Sequence, residues 1–192
     1  KVAISQKTDY PWSGDVMVNI DDNKAGEFTL KLRIPGWVRG EVVPSDLYSF
    51  ADDVPTGYSV SVNGEKIEAE LEDGYFCIER KWKKGDSVHL HLDMVPRFVK
   101  AHEAVEADRG RLAVERGPIV YCAEWADNKG IDVIESEIAV GDELKTVRRP
   151  DMLHGMDVIK TGDLTLIPYY AWNHRGRGKM IVWMKDRNAT QE

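Results

Sequence analysis

Two cysteines in 192 residues are too few for a disulfide scaffold, since chains stapled by disulfides are far denser in cysteine. Cys77 and Cys122 each sit inside an apolar, strand-like run and read as small buried hydrophobes, although a pairing between them stays open on sequence alone. No apolar stretch approaches the roughly 20 residues that cross a bilayer as a helix. Lys1-Val-Ala-Ile-Ser-Gln6 is not a signal peptide. Excess positive charge is lacking too: 26 Lys plus Arg face 33 Asp plus Glu, a net charge of −7. With no basic run, that balance argues against DNA, RNA or an anionic membrane as a partner. Low-complexity tracts are missing, and 42% hydrophobic with 31% charged residues describes a globular chain rather than a disordered one.

Signs of chemistry are equally sparse. No Ser or Cys occupies a nucleophile elbow, and Gly176-Arg-Gly178 is too short and isolated to cradle a phosphate. His89 and His91 flank Leu90 and so share one strand face, as two zinc ligands could. A third ligand is missing from their stretch. Val88, Leu90 and Leu92 take the apolar face, so the pair reads as a solvated polar face with Asp93. His102, His154 and His174 are scattered singly. Glu103, Glu106, Asp108, Glu115 and Glu124 are plentiful, but nothing in the sequence sets two of them across a cleft as glycoside hydrolysis demands. Alternation puts Glu115 with Arg111 and Ala113 on an exposed side, where a cross-strand ion pair is the plain reading. No residue is assigned a catalytic or metal role, and no cofactor is expected on this chain.

What the chain does have is β pattern, with no window of helical period. Strands are expected at Val2 to Lys7, Val16 to Ile20, Glu27 to Ile34, Tyr58 to Val62, Glu65 to Leu71, Tyr75 to Trp82 and Ser87 to Val95. Phe28, Leu30, Leu32 and Ile34 share one face of the cleanest of these. Asn63-Gly64 is a strong two-residue hairpin signal. Residues 38 to 57 read as a long insertion, functional or mobile at that length. Past Pro96, strands are expected at Phe98 to Val105, on both sides of Gly117-Pro118, and at Ile131 to Ile134, Met156 to Ile159, Leu164 to Tyr170 and Met180 to Met184, with a polar connection through Gly141 and Pro150. Pro118 has no N–H for a ladder and belongs at a strand start, edge or bulge, where Gly117 absorbs unusual backbone angles. The expected fold is all-β, two consecutive antiparallel β-sandwich (jelly-roll-like) domains, 1–97 and 98–192.

The loop Tyr169-Tyr-Ala-Trp-Asn-His-Arg-Gly-Arg-Gly178 carries the candidate contact residues Tyr170, Trp172, Asn173, His174 and Arg175. Aromatic rings stack on sugar faces, and Asn, His and Arg bond hydroxyls. The same composition suits packing between domains, with Trp172 as anchor and Arg175 partnering an acidic group, and this interface reading is preferred.

Gly110-Arg-Leu-Ala-Val-Glu-Arg-Gly-Pro-Ile-Val-Tyr-Cys-Ala-Glu124, Leu166-Ile-Pro-Tyr-Tyr-Ala-Trp-Asn-His-Arg-Gly176 and Met180-Ile-Val-Trp183 resemble the C-terminal part of the β-L-arabinofuranosidase family, glycoside hydrolase family 127 and relatives. Leu32-Arg-Ile-Pro-Gly-Trp37, Val62-Asn-Gly64 and Gly74-Tyr75 resemble the sandwich before it. Arg177 stands where the family favours proline, which bears on the rigidity of the loop. The resemblance implies an upstream (α/α)6 barrel in which a cysteine nucleophile, and a zinc held by neighbouring cysteines and a glutamate, act on plant glycans. It implies that the present chain is an accessory region bracing that barrel, its main partner, through a wide apolar patch. An independent carbohydrate-binding module is the alternative, and a sandwich enzyme with unpaired carboxylates is a third. The chain opens mid-strand, as a piece of a longer protein would. A targeting signal is then expected outside it, compatible with a periplasmic or extracellular setting.

Overall fold

The computed structural model describes residues 1–189. Among them every regular element is a β-strand or a short 3-10 turn. They divide into two units, residues 1–40 with 56–94 and residues 41–55 with the chain from Val95 onward.

The first unit is a sandwich of two antiparallel sheets. Val2–Thr8, Asp15–Asn23, Ser87–Leu92, Tyr58–Val62 and Glu65–Ile67 follow one another across the larger sheet, and Glu27–Arg33, Tyr75–Lys81 and Leu71–Glu72 form the smaller. Alternation decides the faces: Phe28, Leu30 and Leu32 turn inward while Glu27, Thr29, Lys31 and Arg33 stay exposed. Ile20, Ile34, Val60, Phe76, Trp82, Val88 and Leu90 form the shared core. Each such side chain contributes about 1.5–3 kcal/mol when fully buried. Trp82 settles its one polar atom inside, its indole N–H donating to the Phe28 carbonyl at 2.9 Å. Asn63 and Gly64 have φ of 53° and 84°, the two positive angles a type I′ turn needs, and they set Val62 opposite Glu65.

The second unit is one branched ten-stranded sheet. Arg111–Arg116 and Ile119–Glu124 are a hairpin turning at Gly117-Pro118, with Arg116 opposite Ile119 and Gly117 at φ 57°. Pro96–Ala101 pairs beside the first of these strands and Leu164–Pro168 beside the second. The hairpin splays at its open end. Ala123 pairs with Leu166 on one side and Ile181 on the other, and Leu112 pairs with Met184, so the 180–186 segment enters the fork. Its pairing with Glu137–Ile138 is parallel, an exception in an otherwise antiparallel fold.

Four local expectations are corrected. Ile131 to Ile134 is not a strand: the Asp132 carboxylate accepts from the Ile134 N–H at 3.2 Å and caps a 3-10 turn, Val133–Glu135. The polar connection hides a strand, Lys145–Arg149, paired with Met156–Thr161; its side chains are exposed or half-buried, so it carries no apolar alternation. Met180 to Met184 is two short pieces, Met180–Ile181 and Met184–Asp186. Finally, much of the 38–57 insertion joins the second unit, where Tyr48–Phe50 pairs with Pro96–Ala101. Asp52 fixes it there, accepting from Arg97 Nε at 2.8 Å and from the Phe98 N–H at 2.7 Å. The Arg97 guanidinium lies 3.7 Å from the Phe50 ring centroid.

Candidate functional site

The aromatic loop is built outward from a buried acid. Glu124 ends its strand 1% exposed, where a lone carboxylate would be strongly disfavoured. Two donors meet it: the Asn173 backbone N–H at 2.9 Å and the Arg175 guanidinium. Arg175 also forks onto Asp127, with both contacts at 2.6 Å. Asp127 first, and Glu124 with it, hold Arg175 further toward its charged form. On either side of the clamped Arg175 the chain takes positive φ, at Asn173 and at Gly176. The loop's other wall is Trp125, whose backbone N–H donates to the Lys179 carbonyl at 3.0 Å. Its ring lies so close that a Cβ on Gly178 would fall 1.9 Å from Cδ1. Glycine is required there by close approach.

Of the candidate contact residues, Arg175 therefore points inward to the two acids, and Asn173 contributes its backbone while its side chain is exposed. Trp172 is half-buried and meets Tyr169 at a centroid distance of 6.4 Å. His174 is exposed. Tyr170 is 59% exposed and Tyr169 46%. Trp125, 37% exposed, was not singled out in the sequence. The signal for it was an aromatic residue between two acids, Glu124-Trp-Ala-Asp127, with two arginines, Arg175 and Arg177, in the aromatic loop to pair with them.

Beside the loop, Asp157 receives Arg116 and Arg148, each at 3.3 Å, and its carbonyl accepts from the Tyr121 hydroxyl at 3.2 Å. Burial raises the Tyr121 hydroxyl pKa. Glu115 departs from expectation. Its cross-strand neighbours are Arg97 and Val120; it is half-buried and not exposed, and one carboxylate oxygen has no hydrogen-bond partner. Burial pushes its carboxyl up to about 7 against the pull of Arg97. Both strands of the hairpin are covered on most of both faces, which is why simple alternation misplaced it.

In the first unit, His89 and His91 are on the half-exposed face, but they are not merely solvated. Asp15, directly across from His91, places Oδ1 2.8 Å from His89 Nε2 and 2.9 Å from His91 Nδ1. Contacts from His91 first and His89 next hold its carboxyl down at about 2.

Comparison with known proteins settles the lineage. Residues 1–94 match the family described as the β-L-arabinofuranosidase, GH127 middle domain, and residues 96–185 the glycoside hydrolase family 127 C-terminal domain. This chain belongs to glycoside hydrolase family 127. A non-reducing end β-L-arabinofuranosidase of Bifidobacterium longum subsp. longum is 29% identical over 96% of the chain. A solved GH127 β-arabinofuranosidase superposes with a TM-score of 0.92 at 50% identity over 97% of the chain. A GH127 β-L-arabinofuranosidase from Geobacillus stearothermophilus T6 does so with 0.83 at 35% over 97%. The chain spans about a third of these GH127 relatives: 30%, 32% and 31% of their lengths. The zinc that GH127 membership implies does not fit the cysteines present. Both are free. Cys122 is buried, with its thiol pushed up to about 12 by burial and then by Glu124 and Asp127, which opposes the thiolate that zinc binds. Cys77 stands alone beside Glu72, Sγ to Oε2 3.4 Å, and burial raises its thiol too.

Proposed function

We propose that this chain is the accessory, non-catalytic β-sandwich region of a β-L-arabinofuranosidase-like hydrolase of arabinose-containing plant glycans, and that it braces an upstream catalytic barrel. The observation that carries this reading is the loop clamp. Glu124 and Asp127 are both engaged by Arg175, which suits holding a shape more than acid–base work. The clamp offers Trp125, Tyr169 and Tyr170 outward, as anchors against another surface. The zinc of the reaction would belong to the barrel. Exposure of the same rings favours the second reading, a carbohydrate-binding module.

Two assays on the isolated chain separate these. Isothermal titration with arabino-oligosaccharides is expected to be silent; millimolar or tighter binding that Tyr170→Ala abolishes would establish the module instead. Hydrolysis of aryl arabinofuranosides by the purified chain, expected to be nil, would overturn both.

A further inference from the structure

The proposed function leaves unused a side-chain cluster on the polar face of the five-stranded sheet. We propose that Asp15, His89 and His91 form a surface site for a borderline divalent transition cation such as Zn2+, oriented by Asp93 and Ser13.

The sheet supplies the third ligand that the histidine stretch lacks. Asp15–Asn23 pairs with Ser87–Leu92 so that Asp15 is opposite His91 and diagonal to His89, and both rings lean to the same carboxylate oxygen at 2.8 and 2.9 Å. Two imidazoles and a carboxylate are the donor set that borderline cations take. Among the described residues no group of three His, Cys, Asp or Glu side chains is placed, as it stands, to hold a metal ion, and the metal-free contacts explain why. Each ring nitrogen that bonds Asp15 Oδ1 must carry a proton, so protons hold the donors together where a cation would.

The outer contacts favour that exchange. His91 Nε2 lies 3.4 Å from Asp93 Oδ1. A neutral His91 with its proton on Nδ1 turns a bare nitrogen to this carboxylate. With a cation on Nδ1, the proton sits on Nε2 and Asp93 accepts it, the carboxylate–histidine–metal arrangement that fixes ring orientation. Ser13 Oγ donates to Asp15 Oδ2 at 2.9 Å and leaves Oδ1 for the cation. The side chains of Asp15, His89, His91 and Asp93 are 41–52% or, for His89, 40% exposed, so a hydrated ion can enter, and two carboxylates balance its charge.

Isothermal titration of the folded chain with zinc chloride at neutral pH, against magnesium chloride as the oxygen-seeking control, tests this. One Zn2+ per chain and no Mg2+ is the expected result. His89→Ala and His91→Ala should each weaken binding at least tenfold, and Asp93→Asn, which keeps all three ligands, by about 10–100-fold. His102→Ala should leave binding unchanged. Circular dichroism confirms that each variant folds, as expected at half-exposed positions. Failure of the folded wild-type chain to bind Zn2+, or binding that survives the double His89→Ala/His91→Ala change, would overturn the site.

Discussion

The two units solve the same problem with different materials. In the first, the buried set is apolar except for Asp86, and Asp86 is satisfied by neutral donors, the Lys83 N–H at 2.8 Å and the Asn63 amide at 3.0 Å. In the second, Arg97, Arg116, Glu124, Asn128, Asp157, Thr161 and Thr165 are all buried. Their bonds reach across the chain: Arg97 to Asp52, Arg116 to Asp157, and the Asn128 amide to the Glu124 and Thr165 carbonyls. One unit is built on an almost wholly apolar core, the other on packing around several buried charges. Ion pairs of this kind add little net stability over apolar replacements, yet become costly when half of one is removed.

The same substitution in both units gives the sharpest test. Asp157→Asn leaves Arg116 buried beside a neutral amide and is expected to cost about 3–5 kcal/mol. Asp86→Asn loses one acceptor among neutral donors and should cost about 1–2 kcal/mol. Urea denaturation of the two variants measures the gap; equal losses would erase the distinction between the units.

That distinction also explains what was legible in the sequence. Glu27–Arg33, Tyr58–Val62 and the Asn63-Gly64 turn follow from period and turn chemistry, which are local. The route of residues 41–55 into the second unit depends on Asp52 meeting Arg97, 45 positions away, and no local pattern encodes that. Lys145–Arg149 is polar because it has one strand partner and little cover, so it read as a loop. In the aromatic loop, the sequence offers Arg175 an acidic group across a domain boundary; its pairing with Glu124 and Asp127 within its own unit, and the role of Trp125 as the opposing wall, depend on the fold. Likewise the His89 and His91 pair was visible, whereas Asp15 joins it only through strand register, 74 and 76 positions apart.

Glu115 sharpens the comparison from the pH side. Its carboxyl is raised from 4.5 to about 7, so between these values the folded state holds a proton that the unfolded state releases. Stability from this group is therefore full below about pH 4.5, falls as pH rises toward 7 and is constant above. Allowing for its partial exposure, the loss is about 1–2 kcal/mol. Glu115→Gln removes the titration and should be more stable than wild type by that amount at pH 8, with no difference at pH 4. Chemical denaturation across this range reads the difference directly, and parallel wild-type and variant curves would contradict the burial of this carboxyl.

The smallest effect contrasts two glycines. Gly64 has φ +84° with nothing within 4 Å of an added Cβ, so Gly64→Ala meets only the backbone preference and should cost about 1 kcal/mol. Nothing around it needs to move, and tryptophan emission of the folded variant should match wild type. Gly178→Ala instead sets a methyl 1.9 Å from the Trp125 ring, and the ring must shift within the clamp. A changed emission spectrum for Gly178→Ala, beside an unchanged one for Gly64→Ala, separates a turn fixed by its own two residues from a loop fixed by distant ones. If Gly64→Ala perturbed emission as strongly, the hairpin would be tied to packing, and the first unit would be less local than its pattern indicates.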